Sequence, residues 1–86
     1  MVVSLFPVGR NLYDPRYRRL VALLRDARVD AGLTQAELAV RMGRRQTFIS
    51  KVELAQRDLN LIELLEICGA LGVPLADLVH RWEADG

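Results

Sequence analysis

The stretch Gly32-Leu33-Thr34-Gln35-Ala36-Glu37-Leu38-Ala39-Val40-Arg41-Met42-Gly43-Arg44-Arg45-Gln46-Thr47-Phe48-Ile49-Ser50-Lys51-Val52-Glu53 decides the fold. Thr34 and Glu37 form a capping box, so a helix starts at Gln35, runs through Leu38, Ala39 and Met42, and stops at Gly43. After the Arg44-Arg45 turn, Phe48, Ile49 and Val52 recur at helical spacing, and a second short helix ends near Leu54. Each is about two turns long, and isolated helices under about 12 residues are marginal in water. Helices elsewhere in the chain must hold them, which leaves one face of the second free to point outward.

Three further helices surround that pair. On the N-terminal side Asp14 before Pro15 reads as a cap with proline at the first helical position. Tyr17, Leu20, Val21, Leu24, Ala27 and Ala31 follow at steps of three and four, and Gly32 ends the run. On the C-terminal side Asn60 and Glu63 repeat the capping box. Leu61, Leu64, Leu65, Cys68 and Leu71 make an apolar stripe that closes at Gly72. Pro74 opens a last helix through Leu75, Leu78, Val79 and Trp82. Alternation of period two is confined to residues 2–8, where Pro7 limits any strand to an edge. The class is all-α, with five helices: a short extended arm over residues 1–13 and a domain over 14–86.

Length and composition bound the reading. Eighty-six residues at 9.7 kDa, 51% hydrophobic and 27% charged, make one small folded domain with no room for an effector domain or kinase. One cysteine rules out a disulfide framework or cysteine-rich zinc site and points to a reducing compartment, the cytoplasm. The longest apolar run, Leu20 to Leu24, is far below the roughly 20 residues that span a bilayer, so no membrane role is expected. The net charge of +1 hides an asymmetry. Residues 1–57 carry eleven basic and five acidic side chains, a net +6; residues 58–86 carry one basic and six acidic, a net −5. Such a molecule has a preferred orientation toward a polyanion, although two ordinary solvated helix faces would give the same tally.

The segments 32–39, Met42-Gly43, 48–53 and Ala70-Leu71-Gly72-Val73 closely resemble the Cro/C1-type (Xre) family of lambda-repressor-like helix-turn-helix DNA-binding domains. The resemblance covers roughly residues 18 to 82. It implies a sequence-specific regulator of double-stranded DNA, nucleoid-associated when bound, whose third helix reads the major groove. Occlusion of a promoter would make it a repressor.

The resemblance also assigns roles. Ala39 matches the family's small residue at the crossing of helices 2 and 3, and Gly43 its turn glycine. Gln35 and Arg44 are expected at DNA phosphates; glutamine at a helix N-terminus suits an anion. Gln46 and Thr47 match the first exposed positions of the recognition helix, where base edges are read, and glutamine pairs bidentately with adenine. Lys51 lies one turn further along. Arg45, where relatives often place a serine cap, is a departure that would suit guanine or a phosphate. Arg28 and Glu53 match a structural pair linking helix 1 to the end of helix 3. Phe48 packs inward or stacks on a base. Leu54 and Ala55 replace an Asn-Gly common in relatives, which leaves Arg57 as that loop's phosphate contact.

Inventory argues against an enzyme. His80 is the single histidine, Ser4 and Ser50 are the only serines, and Cys68 falls on an apolar stripe. Glu63 and Glu66 stand one turn apart without a nearby histidine, so they read as a solvated helix face rather than a metal pair. No cofactor or metal is expected. Two classes remain: a DNA-binding regulator, or an antitoxin-type interaction module that kept the fold and binds a second regulatory protein. Arg41, Arg44, Arg45, Lys51 and Arg57, clustered around helix 3 in sequence, favour DNA. One recognition helix reads only a few base pairs, so a homodimer on a palindromic operator is expected. Leu59, Ile62, Val79 and Trp82 are the candidate interface. Alternatives are that Trp82 closes the core beneath helix 1, or that the arm at residues 2–8 makes the contact.

Overall fold

The computed structural model describes residues 10–85 as a 3-10 turn, Arg10–Tyr13, and five α-helices: α1 Pro15–Asp30, α2 Gln35–Met42, α3 Gln46–Glu53, α4 Leu61–Leu71 and α5 Leu75–Asp85. No strand occurs among the described residues. The alternation at residues 2–8 lies outside them.

The helix boundaries follow from local chemistry. The Asp14 carboxylate accepts from the backbone N–H of Arg16 at 2.8 Å, and Pro15 supplies the fixed φ of a first turn. Both expected capping boxes are formed, Thr34 with Glu37 at α2 and Asn60 with Glu63 at α4. Gly43 and Gly72 end α2 and α4 at φ +65° and +72°, a left-handed backbone that crowds any Cβ. Pro74 stands one residue ahead of α5, its carbonyl accepting from the N–H groups of Asp77 and Leu78.

Leu23 and Leu24 of α1, Leu38 and Ala39 of α2, Ile49 of α3, Leu64, Ile67, Cys68 and Leu71 of α4, and Leu78 of α5 form one core. Ala39 is 1% exposed, the small residue that lets α2 approach α3. Burial pushes the Cys68 thiol above its ordinary range, in keeping with a small packed hydrophobe. The stripe expected on α4 needs correction: Leu61 and Leu65 face outward, and Ile67 with Leu64, Cys68 and Leu71 does the packing. An arc of leucines on both sides of a helix does not say which side is inside.

Two long-range hydrogen bonds fasten the first turn of α1. The Tyr17 hydroxyl donates to the Arg57 carbonyl at 2.6 Å, and burial raises that hydroxyl's pKa to about 12. The Trp82 indole N–H donates to the Arg16 carbonyl at 2.8 Å. Together they tie the α3–α4 loop and α5 to one place.

Candidate nucleic-acid interface

α3 presents two faces. Ile49 and Val52, each 2% exposed, anchor it in the core, while Gln46, Thr47 and Lys51 are exposed on the outside. Arg45 stands at the N-cap with extended backbone and no side-chain cap, so helix 3 starts at Gln46 without the usual hydroxyl. The Arg45 carbonyl accepts from the Phe48 N–H, and the N–H groups of Gln46 and Thr47 have no side-chain acceptor. Arg45, Thr47 and Lys51 line one cleft, and Gln46 is exposed at the same end of α3, all with donors a base edge or phosphate can accept from.

What holds that face rigid is a chain of polar contacts. Arg28 of α1 donates through Nε to Glu53 Oε2 at 2.6 Å and through Nη2 to Oε1 at 2.9 Å, a bidentate pair of which 11% and 7% of the side chains are exposed. Arg28 Nη1 also reaches the Leu33 carbonyl at 2.7 Å. Glu53 Oε1 accepts from Gln35 Nε2 at 3.0 Å, and Gln35 Oε1 accepts in turn from Gln46 Nε2 at 3.5 Å. A contact at 3.5 Å is at the long limit for a hydrogen bond, so Gln46 is loosely tethered and its amide is available to a ligand. Gln35, half-buried at the start of α2, thus links the structural pair to the outward face.

Beside α3, Gly43, Arg44, Arg45, Thr47, Phe48, Lys51 and Arg57 line an open cleft of about 400 Å³. The guanidinium carbons of Arg44 and Arg57 lie 4.3 Å and 4.7 Å from the centre of the Phe48 ring, which is half-buried and packs against the core. Arg57 is held firmly: Nη1 and Nη2 donate to the two oxygens of Glu63 at 2.9 Å and 2.8 Å, and Nη1 also to the Asp58 carbonyl at 2.8 Å. Arg44 is held lightly, by one hydrogen bond to Glu66 at 3.0 Å and a longer approach to Glu63 at 3.8 Å.

Several expectations need correction here. Glu63 is not part of a solvated face. It is 8% exposed, caps α4 through the Asn60 N–H and pairs with Arg57, whose guanidinium holds its carboxyl below the usual range. Glu66 points at Arg44. Nothing in the spacing of the two acids shows this, because their partners come from other segments. Arg41 is drawn away from α3: its Nη1 donates to the Ala70 carbonyl at 3.1 Å, at the C-terminal end of α4 where free carbonyls favour a cation. The cleft is left with Arg44, Arg45, Lys51 and Arg57.

Of the side chains expected at a dimer surface, Ile62 is fully outward at 63% exposure, while Leu59, Val79 and Trp82 are half-buried. Trp82 packs against the core and bonds to α1, the closing role weighed above as the alternative. The outward apolar side chains of α4 are Leu61, Ile62 and Leu65, on one face of that helix, while Tyr13, Val29, Val40 and Leu54 are exposed elsewhere. Among the described residues no group of three potential ligands could hold a metal ion, and no helix is long and apolar enough to cross a membrane.

Residues 24–78 match the family described as Helix-turn-helix. The uncharacterized HTH-type transcriptional regulator y4dJ of Sinorhizobium fredii is 40% identical over 70 residues, 81% of this chain and 82% of that protein. The solved structure of an XRE-family like protein from Pseudomonas syringae pv. tomato superposes with a TM-score of 0.80 at 43% identity, covering 87% of this chain and 92% of that one. The clp gene regulator ClgR from Corynebacterium glutamicum gives a TM-score of 0.75 at 28% identity, over 84% and 77% of the two chains.

Proposed function

The chain belongs to the Helix-turn-helix family of Cro/C1 (XRE) type, transcription regulators rather than enzymes, and on that premise we propose that it is a sequence-specific repressor. It binds double-stranded DNA in the cytoplasm as a homodimer, lays α3 of each protomer in the major groove of a palindromic operator, and blocks transcription by occupying the promoter. The observation that carries this reading is the division of α3, with Ile49 and Val52 fixed in the core and Arg45, Gln46, Thr47 and Lys51 exposed on the opposite side. Arginine suits guanine and glutamine suits adenine, and a rigid helix can present them at base-edge spacing. Gln35 and Arg44 flank that face as phosphate contacts, with Arg57 behind them. Leu61, Ile62 and Leu65 supply the apolar patch for a second copy, on α4 in the acidic half of the chain.

The test is a salt titration of binding to labelled duplex, followed by anisotropy. A dimer engaging about six phosphates gives a slope of log K against log salt near −5, from about −0.9 per phosphate. A salt-independent affinity would sink the DNA reading. Sedimentation equilibrium of Ile62→Asp with Leu65→Asp should give a folded monomer with weakened binding. An unchanged dimer would move the interface off α4.

A further inference from the structure

We propose that Glu66 is an internal competitor for DNA phosphate at Arg44, so that this contact forms only when a phosphate displaces a carboxylate of the protein itself; the inference rests on the DNA-binding reading above and concerns regulation of the same surface. It starts from the unequal anchoring of the two arginines over Phe48. Arg57 has two bonds to a carboxylate that is itself buried and capping a helix, so releasing it would strand Glu63. Arg44 has one bond to Glu66, and the two side chains are 33% and 49% exposed. Exposed pairs of this kind contribute little and open readily.

Arg44 also lines the cleft that contains Arg45, Thr47 and Lys51, so its guanidinium already stands beside the outward face of α3. A phosphate entering there meets a fork of donors that a carboxylate has been occupying. Exchange of one oxyanion for another keeps Arg44 satisfied in both states. In the free protein it offsets part of the positive potential that would hold the molecule on any polyanion. Glu66 therefore lowers affinity for DNA of any sequence by about the same factor and leaves base readout at Gln46, and with it the ratio between correct and random sequence, unchanged.

Fluorescence anisotropy with a random-sequence 30-base-pair duplex tests this, because phosphate contacts do not depend on sequence. Glu66→Gln should tighten binding about two- to fivefold, the range of an exposed pair, and steepen the salt slope by up to about 0.9 per protomer. In an Arg44→Ala background the same substitution should give no gain, with Arg44→Gln as the alternative background if the alanine variant melts early. Glu83→Gln, an exposed acid on α5, sets the gain due to net charge alone. A Glu66→Gln gain no larger than that of Glu83→Gln, or one that persists without Arg44, overturns the proposal while leaving the DNA reading intact. Absence of salt-dependent binding by the wild-type protein overturns both.

Discussion

Arg28 on α1 and Glu53 at the end of α3 grip each other through two hydrogen bonds of 2.6 and 2.9 Å, across 25 residues of sequence, in a place that solvent barely reaches. The pair fixes the C-terminal end of α3 to the longest helix of the domain. Removing one partner leaves a charge almost out of water. Arg28→Ala should therefore cost about 3–5 kcal/mol of stability, whereas Arg28→Met with Glu53→Leu should recover most of it. Urea unfolding of the three proteins measures this, and equal losses in the single and double variants would contradict it.

Gln46 and Arg57 should separate readout from scaffolding. Gln46→Ala is expected to cost about 1–3 kcal/mol on the operator and to relax preference at one base pair, with no change in melting temperature. Arg57→Ala is expected to lower stability by about 1–3 kcal/mol, because Glu63 loses its bidentate partner. Selection of binding sequences from a random pool, run beside thermal melts, reads both effects. A Gln46→Ala protein that selects the same site as wild type would remove Gln46 from base contact.

Ala55 adopts φ +56°, the one left-handed non-glycine among the described residues. It lies just after α3, where relatives often carry glycine. The Cβ strain of about 1–2 kcal/mol outweighs the entropy that glycine would lose, so Ala55→Gly should stabilise the fold by up to about 1 kcal/mol. A lowered urea midpoint would show that the loop relaxes this strain by other means.

Acid should loosen the fold through Glu63. Its carboxyl lies below its ordinary value of 4.5, first because Arg57 bonds to it and then because it caps Asn60, and Glu37 is lowered likewise by the Thr34 backbone N–H. Below pH 4.5 the unfolded chain binds more protons than the folded one. The stabilisation is thus complete above that pH and disappears as pH falls through the folded pKa values. Urea midpoints measured between about pH 6 and pH 3 should decline for wild type and decline less for Glu63→Gln. Equal slopes would refute the assignment.

The helices were legible because their ends are written in short-range chemistry. Thr34 with Glu37, Asn60 with Glu63, Asp14 with Pro15, and the glycines at 43 and 72 all act within a few residues of themselves. The outward side of α3 was legible too, since Ile49 and Val52 identify the inward side. Apart from Arg28 with Glu53, a pair the family resemblance supplied, the company the charges keep was not legible. Arg41 goes to Ala70, Arg44 to Glu66, and Arg57 to Glu63 through partners set by the crossing of helices rather than by spacing. The surplus of leucine on α4 hid which ones face out, and the indole of Trp82 serves α1 because its N–H needs an acceptor once the ring is half-buried.

The bond from Trp82 to the Arg16 carbonyl joins residues 66 positions apart. On a ribosome adding about 5–20 residues per second, Arg16 waits roughly 3–13 s for its partner to be made. For most of that interval the leucines of α1 have been synthesised and α5 has not, so the nascent chain exposes apolar surface that the folded domain covers. Translation speed over the last two helices thus sets how long that surface stays uncovered, and a synonymous codon change there alters the interval without altering a single side chain.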